Sequence, residues 1–255
     1  MGSKKAKVYL LGHSNSLFND KPEALVATAG KLCYSKSNIK DLANKQTDES
    51  VNKFVDMLSS LGHESPIEHI SFTFGIEGVS RALTHQLVRH RMASYSQQSQ
   101  RYVDLKETYD YIVPPILEED DELNKLYKKA NEEIFESYKK ISEKLTKKYI
   151  DAGLKEKDAK KKAIEDARFI LPNACETKII VTMNARELLH FFRERCCNRA
   201  QWEIREVANQ MLDLCLEVAP LIFKKAGPSC TFGRCKEGAM SCGIKVLPRK
   251  GQLDE

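Results

Sequence analysis

The chain has 255 residues, of which 42% are hydrophobic and 30% are charged, and it carries a formal net charge of +5. This composition is sufficient for a sizeable core and predicts one or two domains, and the modest, dispersed charge does not require nucleic acid as a partner. No apolar run approaches the roughly 18 residues that span a membrane, and the start lacks a secretory signal. We therefore expect a soluble, cytoplasmic protein without a membrane partner.

The first part of the chain is predicted to form a strand and then two helices. Lys7–Gly12 is a short apolar run that ends at a glycine, which is typical of a strand. Pro22 opens a segment rich in helix-forming residues, so a helix is expected there. Between Thr47 and Gly62 the apolar residues recur at helical spacing, after capping oxygens and before a glycine, which predicts a second helix.

A strand and a helix then lead to a very polar stretch. Residues 69–78 alternate between apolar and polar side chains, which predicts a half-buried strand. Its apolar face consists of Ile70, Phe72, Phe74 and Ile76. A helix from about Ser80 is expected to lead to Arg89, where "RHRMASYSQQSQRY" (Arg89–Tyr102) is interpreted as a polar turn.

The remainder of the chain is predicted to be mostly helical. Around residues 116–165 we expect a charged helical arm whose lysines and glutamates form a solvated face. The apolar stripe of this arm is expected to be Leu123, Leu126, Ala130, Ile134, Tyr138, Ile141 and Leu145. A shorter helix ends before Pro172, "TKIIVTM" predicts a strand, and Asn184 is expected to cap the first of two further helices.

These elements predict an α+β fold, with a compact mixed sheet, flanking helices and the helical arm. Residues 1–227 are expected to form the main domain, and residues 228–255 a cysteine-containing tail without an assigned role. Only Cys230 and Cys235 have a spacing near that of a zinc pair, and the tail has no histidine. A zinc site, reduced thiols and a redox-formed disulfide therefore all remain open for the tail.

Three polar clusters are candidates for chemistry. In Arg89–Tyr102, arginines offer forked contacts to phosphate and serines and glutamines add neutral donors, although a solvated loop would have the same composition. Residues 193–205 carry further arginines beside the single tryptophan, and these are equally compatible with an exposed helix face. Residues 63–69 favour a polar substrate site over a metal site, because their two histidines lack the i, i+4 spacing of a helical zinc pair.

The combination of these clusters resembles a known family. Arg89-His90-Arg91, followed after seven residues by Ser99, matches the R-H-R-x7-S signature of the flavin-dependent thymidylate synthases. Further segments resemble the family in the same order along the chain: "GHESPIEHISFTF", "RFILP" and "NARELLHFFRER" with "AQWEIR". The matches extend from about Gly62 to Arg205, and the resemblance implies the fold of this family.

The resemblance also implies an activity and a set of site residues. The implied reaction is the reductive methylation of dUMP to dTMP, with FAD as cofactor and with NADPH and methylenetetrahydrofolate as co-substrates. Arg195 is the implied catalytic residue, because it would lie by the uracil ring and favour its ionised form. The implied nucleotide-binding residues are Gln86, Arg89, Gln97, Ser99, Gln100, Arg101, Arg168 and Arg195. The implied cofactor-binding residues are His63, Ser65, Glu68, Arg89, His90, Arg91, Gln97, Asn184, Arg186 and His190.

Two positions depart from the family pattern. Gln97 stands where an acidic residue is common, so an acceptor becomes a mixed donor and acceptor, and His190 stands where other members can carry asparagine. The resemblance further implies a homotetramer with sites shared between subunits, no metal and no cysteine nucleophile. The alternative is a non-catalytic basic protein that binds nucleic acid or phosphate and carries no flavin.

Overall fold

The structure is a computed structural model that describes residues 4–103, 105 and 110–252. Its strands β1 to β4 are Lys7–His13, Ser71–Ser80, Ala93–Gln97 and Glu176–Asn184. Its helices α1 to α11 are Pro22–Leu32, Ile39–Asn44, Asp48–Leu61, Arg81–Leu87, Pro115–Glu118, Asp121–Asp151, Glu156–Ala167, Ala185–Arg195, Trp202–Val218, Pro220–Phe223 and Ser229–Phe232. Short 3₁₀ helices lie at Ser65–His69, Arg168–Ile170 and Gly238–Met240. The predicted α+β class with flanking helices is confirmed.

The four strands form one antiparallel sheet in the order β1-β2-β4-β3. The Thr73 and Thr182 hydroxyls lie 2.9 Å apart on β2 and β4, which helps to fix the register of this central pair. The predicted alternation of β2 is confirmed, because its apolar side chains are buried and the intervening ones are half-buried. This alternation is what one face packed on a core produces.

Helix α3 shows how completely local chemistry can define an element. The Thr47 hydroxyl accepts a hydrogen bond from the Ser50 backbone N–H, and the Ser50 hydroxyl accepts one from the Thr47 backbone N–H, which is a capping box. At the other end Gly62 adopts φ 69°, a left-handed conformation that glycine adopts without steric cost. Both predicted ends are confirmed, and loss of such a cap costs about 1 kcal/mol.

The predicted apolar stripe of the helical arm is confirmed at Tyr138 but is wrong at four positions that are exposed: Leu123, Leu126, Ala130 and Ile141. The arm is built of α6 and α7, and the buried positions of α6 are Asn131, Phe135, Tyr138 and Ser142. Leu126 of the predicted stripe is 65% exposed, whereas Tyr138 is fully buried. Phe135 and Tyr138 pack in a cluster with Tyr111, and burial of these aromatic rings determines which face of α6 turns inward.

The polar stretch after Arg89 is also organised differently from the expected turn. It contains strand β3, and the preceding helix α4 ends at Leu87, before Arg89. The Tyr95 hydroxyl donates hydrogen bonds to the carbonyl oxygens of Leu87 and His90 at 2.8 and 2.7 Å. These bonds satisfy carbonyl groups just beyond the end of α4, so the segment returns as a strand rather than leaving as a solvated loop.

The chain divides into two compact units. The first consists of residues 1–6, 77–85 and 96–179, and the second of residues 7–76, 86–95 and 180–255. No helix among the described residues combines the length and the apolar character needed to cross a membrane.

The C-terminal tail contacts the second unit through a few side chains, whereas its residues 232–245 are exposed. Arg249 pairs with Asp213 of α9 at 2.5 Å, and the buried Gln252 donates to the Ala226 carbonyl at 2.7 Å. Cys230, Cys235 and Cys242 are free thiols in the structure. The boundary expected between residues 227 and 228 stays a prediction, and its last residues, 253–255, lie outside the described part of the chain.

Candidate active site

The Arg89-His90-Arg91 part of the signature lies between α4 and β3 in the second unit, and its side chains differ in burial. His90 is only 6% exposed, whereas Arg89 and Arg91 are exposed. A cleft of about 650 Å³ opens beside them. Its lining residues are Arg89, His90, Arg91, Met92, Glu187, His190, Glu194 and Arg195. Among the described residues neither Arg89 nor Arg91 has an acidic partner, so both guanidinium groups are available to an anionic ligand.

At the floor of this cleft His90, Glu187 and Arg195 form what we call the His90 triad. The His90 Nδ1 lies 3.2 Å from a Glu187 carboxylate oxygen, and the Arg195 Nε donates to the His90 Nε2 at 3.1 Å. Because an arginine can only donate, Nε2 must be the acceptor nitrogen and Nδ1 must carry the proton that Glu187 accepts. The hydrogen bonds therefore define one tautomer and one orientation of the histidine ring.

The electrostatics of the triad keep His90 neutral. Burial lowers the pKa of His90, the Glu187 hydrogen bond opposes this change, and the Arg195 charge adds to it. A neutral His90 can accept the Arg195 N–H, whereas a protonated ring would repel it. The Nη groups of Arg195 have no hydrogen-bond partner among the described residues, so they can face a ligand.

Helix α8 positions two members of the triad, one near each of its ends. The Asn184 side chain caps the helix by accepting from the Glu187 backbone N–H at 2.8 Å, which confirms the predicted cap. Glu187 thus belongs to the first turn, and Arg195 is the last residue of the helix. The motifs predicted no role for Glu187, although a glutamate three residues after a capping asparagine is a recognisable start signal of a helix.

A second cleft of about 370 Å³ adjoins the first, with Met92, Glu187 and His190 lining both. Its lining residues are Glu64, Glu68, Met92, Asn184, Arg186, Glu187, Leu189, His190 and Arg193. Arg186 pairs with both Glu68 and Glu64, and the Glu68 hydrogen bond is the largest cause of a raised Arg186 pKa. His190, which stands where other family members can carry asparagine, contacts a residue of its own helix, because its Nδ1 lies 2.8 Å from an Arg193 nitrogen.

The two clefts bring together most of the residues expected to bind the cofactor. Glu68, Asn184 and Arg186 line the second cleft, and Arg89, His90 and Arg91 line the first. Ser65 lines neither, and His63 lines a third, smaller cavity.

The segment from Gln97 to Arg101 belongs to the first unit. The Gln97 amide nitrogen lies 3.1 Å from the Thr84 hydroxyl and 3.3 Å from that of Thr177. Glutamine is therefore accommodated where the family commonly has an acid, with its amide group held by two hydroxyls. Ser99 Oγ accepts the Arg101 backbone N–H at 3.1 Å, which shapes the turn.

Two side chains of this segment contact the rest of the first unit. The Arg101 Nε lies 2.9 Å from a Glu165 oxygen, an ion pair by distance whose alignment does not make a hydrogen bond. Both partners are about 40% exposed, so the pair contributes little and can open for a ligand. Gln100 contacts the Cys175 sulfur at 3.3 Å.

Arg81 is a further cation of the first unit that the motif analysis missed. Its side chain donates to the Gln98 carbonyl at 3.4 Å, next to the predicted nucleotide-binding residues. Burial lowers the pKa of Arg81, and the charge of Arg168 lowers it further. Within the described ranges neither guanidinium has a carboxylate partner. We call these two residues the arginine pair, because two neighbouring uncompensated cations favour an anion between them.

The residues expected to bind the nucleotide are thus distributed over both units. Arg89 and Arg195 lie in the second unit with the half-buried Gln86, whose carbonyl accepts the Arg89 N–H at 3.3 Å. The others lie in the first unit: Gln97, Ser99, Gln100, Arg101 and Arg168.

The buried cysteines are poor candidates for a nucleophile. Burial raises the pKa of Cys196 to about 12 and that of Cys175 to about 11, so both remain protonated thiols near neutral pH. In the described part of the chain, His90, Glu187 and His190 are the side chains close enough together to hold a metal ion. The Arg195 N–H occupies the His90 Nε2 lone pair and its charge repels a cation, so we assign this group to the triad instead.

Comparisons with known proteins identify the family. The thymidylate synthase complementing protein family (Thy1) matches residues 16–221. A flavin-dependent thymidylate synthase of Clostridium tetani is 59% identical over 233 residues, covering 91% of this chain and 93% of that protein. A flavin-dependent thymidylate synthase of Geobacter sulfurreducens is 49% identical over 238 residues, covering 93% and 94% of the two chains.

A solved structure shares the fold at low sequence identity. It is a UMP/dUMP methylase, PolB, from Streptomyces cacaoi bound with 5-Br dUMP, with a TM-score of 0.66 and 22% identity. The match covers 87% of this chain and 94% of that one. Together with the sequence matches, and in agreement with the motifs around the His90 triad, these findings show that the chain belongs to the flavin-dependent thymidylate synthase (Thy1) family.

Proposed function

We propose that the protein is an FAD-dependent thymidylate synthase that methylates dUMP to dTMP, with methylenetetrahydrofolate as one-carbon donor and NADPH as reductant. Family membership supports the reaction class, and the observation that carries the proposal is the His90 triad. A half-buried arginine is held there in one orientation, with its Nη groups directed to no protein partner among the described residues. This is the arrangement needed to stabilise charge that develops on a bound base.

The two clefts of the second unit fit a flavin dinucleotide by their donor set. Arg89 and Arg91 lack acidic partners among the described residues and suit a diphosphate, while Asn184 and Arg186 add polar contacts. When bound, FAD supplies the hydride that completes the methyl group. The task of the protein is to bind the ring, orient it and exclude water.

Arg195 acts on the substrate in this proposal. Its guanidinium donates to the uracil edge and stabilises the ionised base, whose ring carbon is then the better nucleophile. The neutral His90 holds Arg195 through Nε, and Glu187 holds His90, so no reorganisation is needed during the reaction. Gln86, Arg89, Ser99 and Arg101 bind the rest of dUMP, and the arginine pair contributes to its phosphate.

A spectrum tests this proposal against the non-catalytic alternative. The purified protein is expected to be yellow, and NADPH oxidation should accelerate when dUMP is added. A colourless protein that produces no dTMP after addition of FAD, NADPH, dUMP and methylenetetrahydrofolate would overturn the assignment. Strong, salt-sensitive binding to nucleic acid in the same preparation would favour the alternative.

We also propose a cytoplasmic homotetramer whose sites are shared between subunits. Arg101 and Arg195 belong to different compact units of the chain. The family resemblance implies that both reach one dUMP from different subunits. Arg101→Ala and Arg195→Ala are each expected to be nearly inactive. When they are unfolded, mixed equally and refolded, about a quarter of the sites should regain both arginines. A mixed oligomer with no more activity than the separate variants would show that one subunit supplies both.

A further inference from the structure

A third cavity, of about 190 Å³, lies in the second unit beside the second cleft, with which it shares Glu64, Leu189 and Arg193. Its lining includes Val55, Leu58, Ser59, Ile222, Arg193 and Lys225. The floor is apolar, since Val55 and Leu58 of α3 and Ile222 of α10 are buried aliphatic side chains. A cavity of about 150 Å³ lined by such groups binds benzene, so this one has room for a single aromatic ring.

The mouth of the cavity is basic. His63, Arg193 and Lys225 are exposed there, and within the described ranges Lys225 has no acidic partner. Glu64, the carboxylate at the rim, lies 3.3 Å from Arg186, which also pairs with Glu68. The neighbouring Lys224 does not line the cavity, and it pairs with Asp56 at 2.6 Å. Arg193 pairs with Glu194 at 3.5 Å, and this exposed pair contributes little and can open for a ligand. An apolar floor beneath Lys225 and Arg193 suits a ligand with an aromatic ring and carboxylates.

We propose that this cavity is a subsite for the benzoyl-glutamate part of the folate co-substrate. The inference rests on the proposed function, because the folate is the co-substrate of that reaction with a benzene ring bearing a carboxylate-rich side chain. Because the cavity shares lining residues with the second cleft, one folate molecule can place its one-carbon group in that cleft and its tail in the cavity. Lys225 and Arg193 meet the carboxylates, and Val55, Leu58, and Ile222 contact the ring.

Two variants test the subsite. Ser59→Phe places a ring at an exposed position of α3 that lines the cavity, and it should raise the KM for methylenetetrahydrofolate more than about tenfold by excluding the benzoyl ring. Lys225→Gln removes one charge at the mouth and should raise this KM about two- to fivefold. Lys224→Gln is the matched control and should leave the KM unchanged. The Kd for FAD and the KM for dUMP should not change in any of the three.

A fragment separates this inference from the proposed function. Saturation-transfer NMR with 4-aminobenzoyl-L-glutamate should show contact of its aromatic protons with the wild-type protein and with Lys224→Gln, but not with Ser59→Phe. If the wild type makes dTMP but shows no such contact, or if Ser59→Phe keeps its folate KM, the subsite is wrong and the function stands. Loosened FAD binding with an unchanged folate KM would assign the cavity to the flavin and also overturn the inference. If the wild type makes no dTMP, the folate assignment falls with the function.

Discussion

The charges of the His90 triad have partners within the protein, whereas those of the arginine pair do not among the described residues. In the triad, His90 is held on both ring nitrogens by Glu187 and Arg195. In the arginine pair, Arg81 and Arg168 have no carboxylate partner among the described residues, although Arg81 is half-buried. A buried charge without a partner costs folding free energy. The triad is therefore complete without a ligand, whereas the pair has no compensating carboxylate among the described residues.

This difference separates two kinds of mutational effect. Changes in the triad should reduce turnover, because they disturb a group that is already oriented for the reaction. Changes in the arginine pair should reduce nucleotide affinity while relieving the repulsion in the unliganded protein.

The largest effect is expected at Arg195. Arg195→Ala should lower kcat by roughly 100-fold or more, because a preorganised charged donor at the base is lost. Arg195→Lys should recover only part of this loss, since an ammonium group lacks the forked geometry. Steady-state kinetics, with the FAD Kd measured in parallel, check the prediction. Wild-type turnover in Arg195→Ala would remove the triad from the mechanism.

Glu187 tests whether the triad positions Arg195. Glu187→Ala removes the acceptor for the His90 proton and should lower kcat about tenfold, a typical cost of one lost buried hydrogen-bond partner. Glu187→Gln keeps an acceptor oxygen and should restore most of the rate, a rescue that general structural damage would not permit. Glu206→Ala is the control, because Glu206 is an exposed glutamate of α9 that lines neither cleft. Unchanged kcat in Glu187→Ala would mean that Arg195 does not need Glu187 and His90 to orient it.

The arginine pair should respond in affinity and stability rather than in turnover. Arg81→Met should raise the KM for dUMP about tenfold, the value of one charge-assisted hydrogen bond, with little change in kcat. The unliganded protein should melt about 2–4 °C higher if removal of the uncompensated charge gains about 1 kcal/mol. Lys160→Met, at an exposed lysine paired with Glu156, is the control. An unchanged KM and a lower Tm would show that Arg81 is a structural residue.

The smallest effect is a pH dependence of stability. Burial lowers the pKa of His90, so the folded ring stays neutral while the unfolded chain takes up a proton below the ordinary histidine pKa of about 6.5. The free energy of unfolding that His90 contributes is thus present above that pH and is lost as the pH falls. Urea denaturation at pH 7.5 and 5.5 should show a smaller pH dependence for His90→Gln than for the wild type. An equal dependence would show that His90 is not held neutral.

The sequence determined the elements whose signals are local. Thr47 and Gly62 predict the two ends of α3, and Asn184 predicts the start of α8. The alternation of apolar and polar side chains predicts the buried face of β2. These features depend on hydrogen bonds and periodicity within a few residues, so they can be read without the fold. The signature motif likewise identified the family, because its residue spacing is contained in one short segment.

Only the tertiary structure decided which side chains meet. Glu187 and Arg195 lie 97 and 105 positions after His90 in the sequence. Similarly, the charge of Arg168 lowers the pKa of Arg81, although the helical arm separates the two residues in the sequence. The inward face of α6 was set by the packing of Phe135 and Tyr138 against distant residues, and β3 formed because it pairs with β4. Such contacts depend on burial and charge compensation between segments that local patterns do not connect, which is why the motifs named Arg195 and missed Glu187 and Arg81.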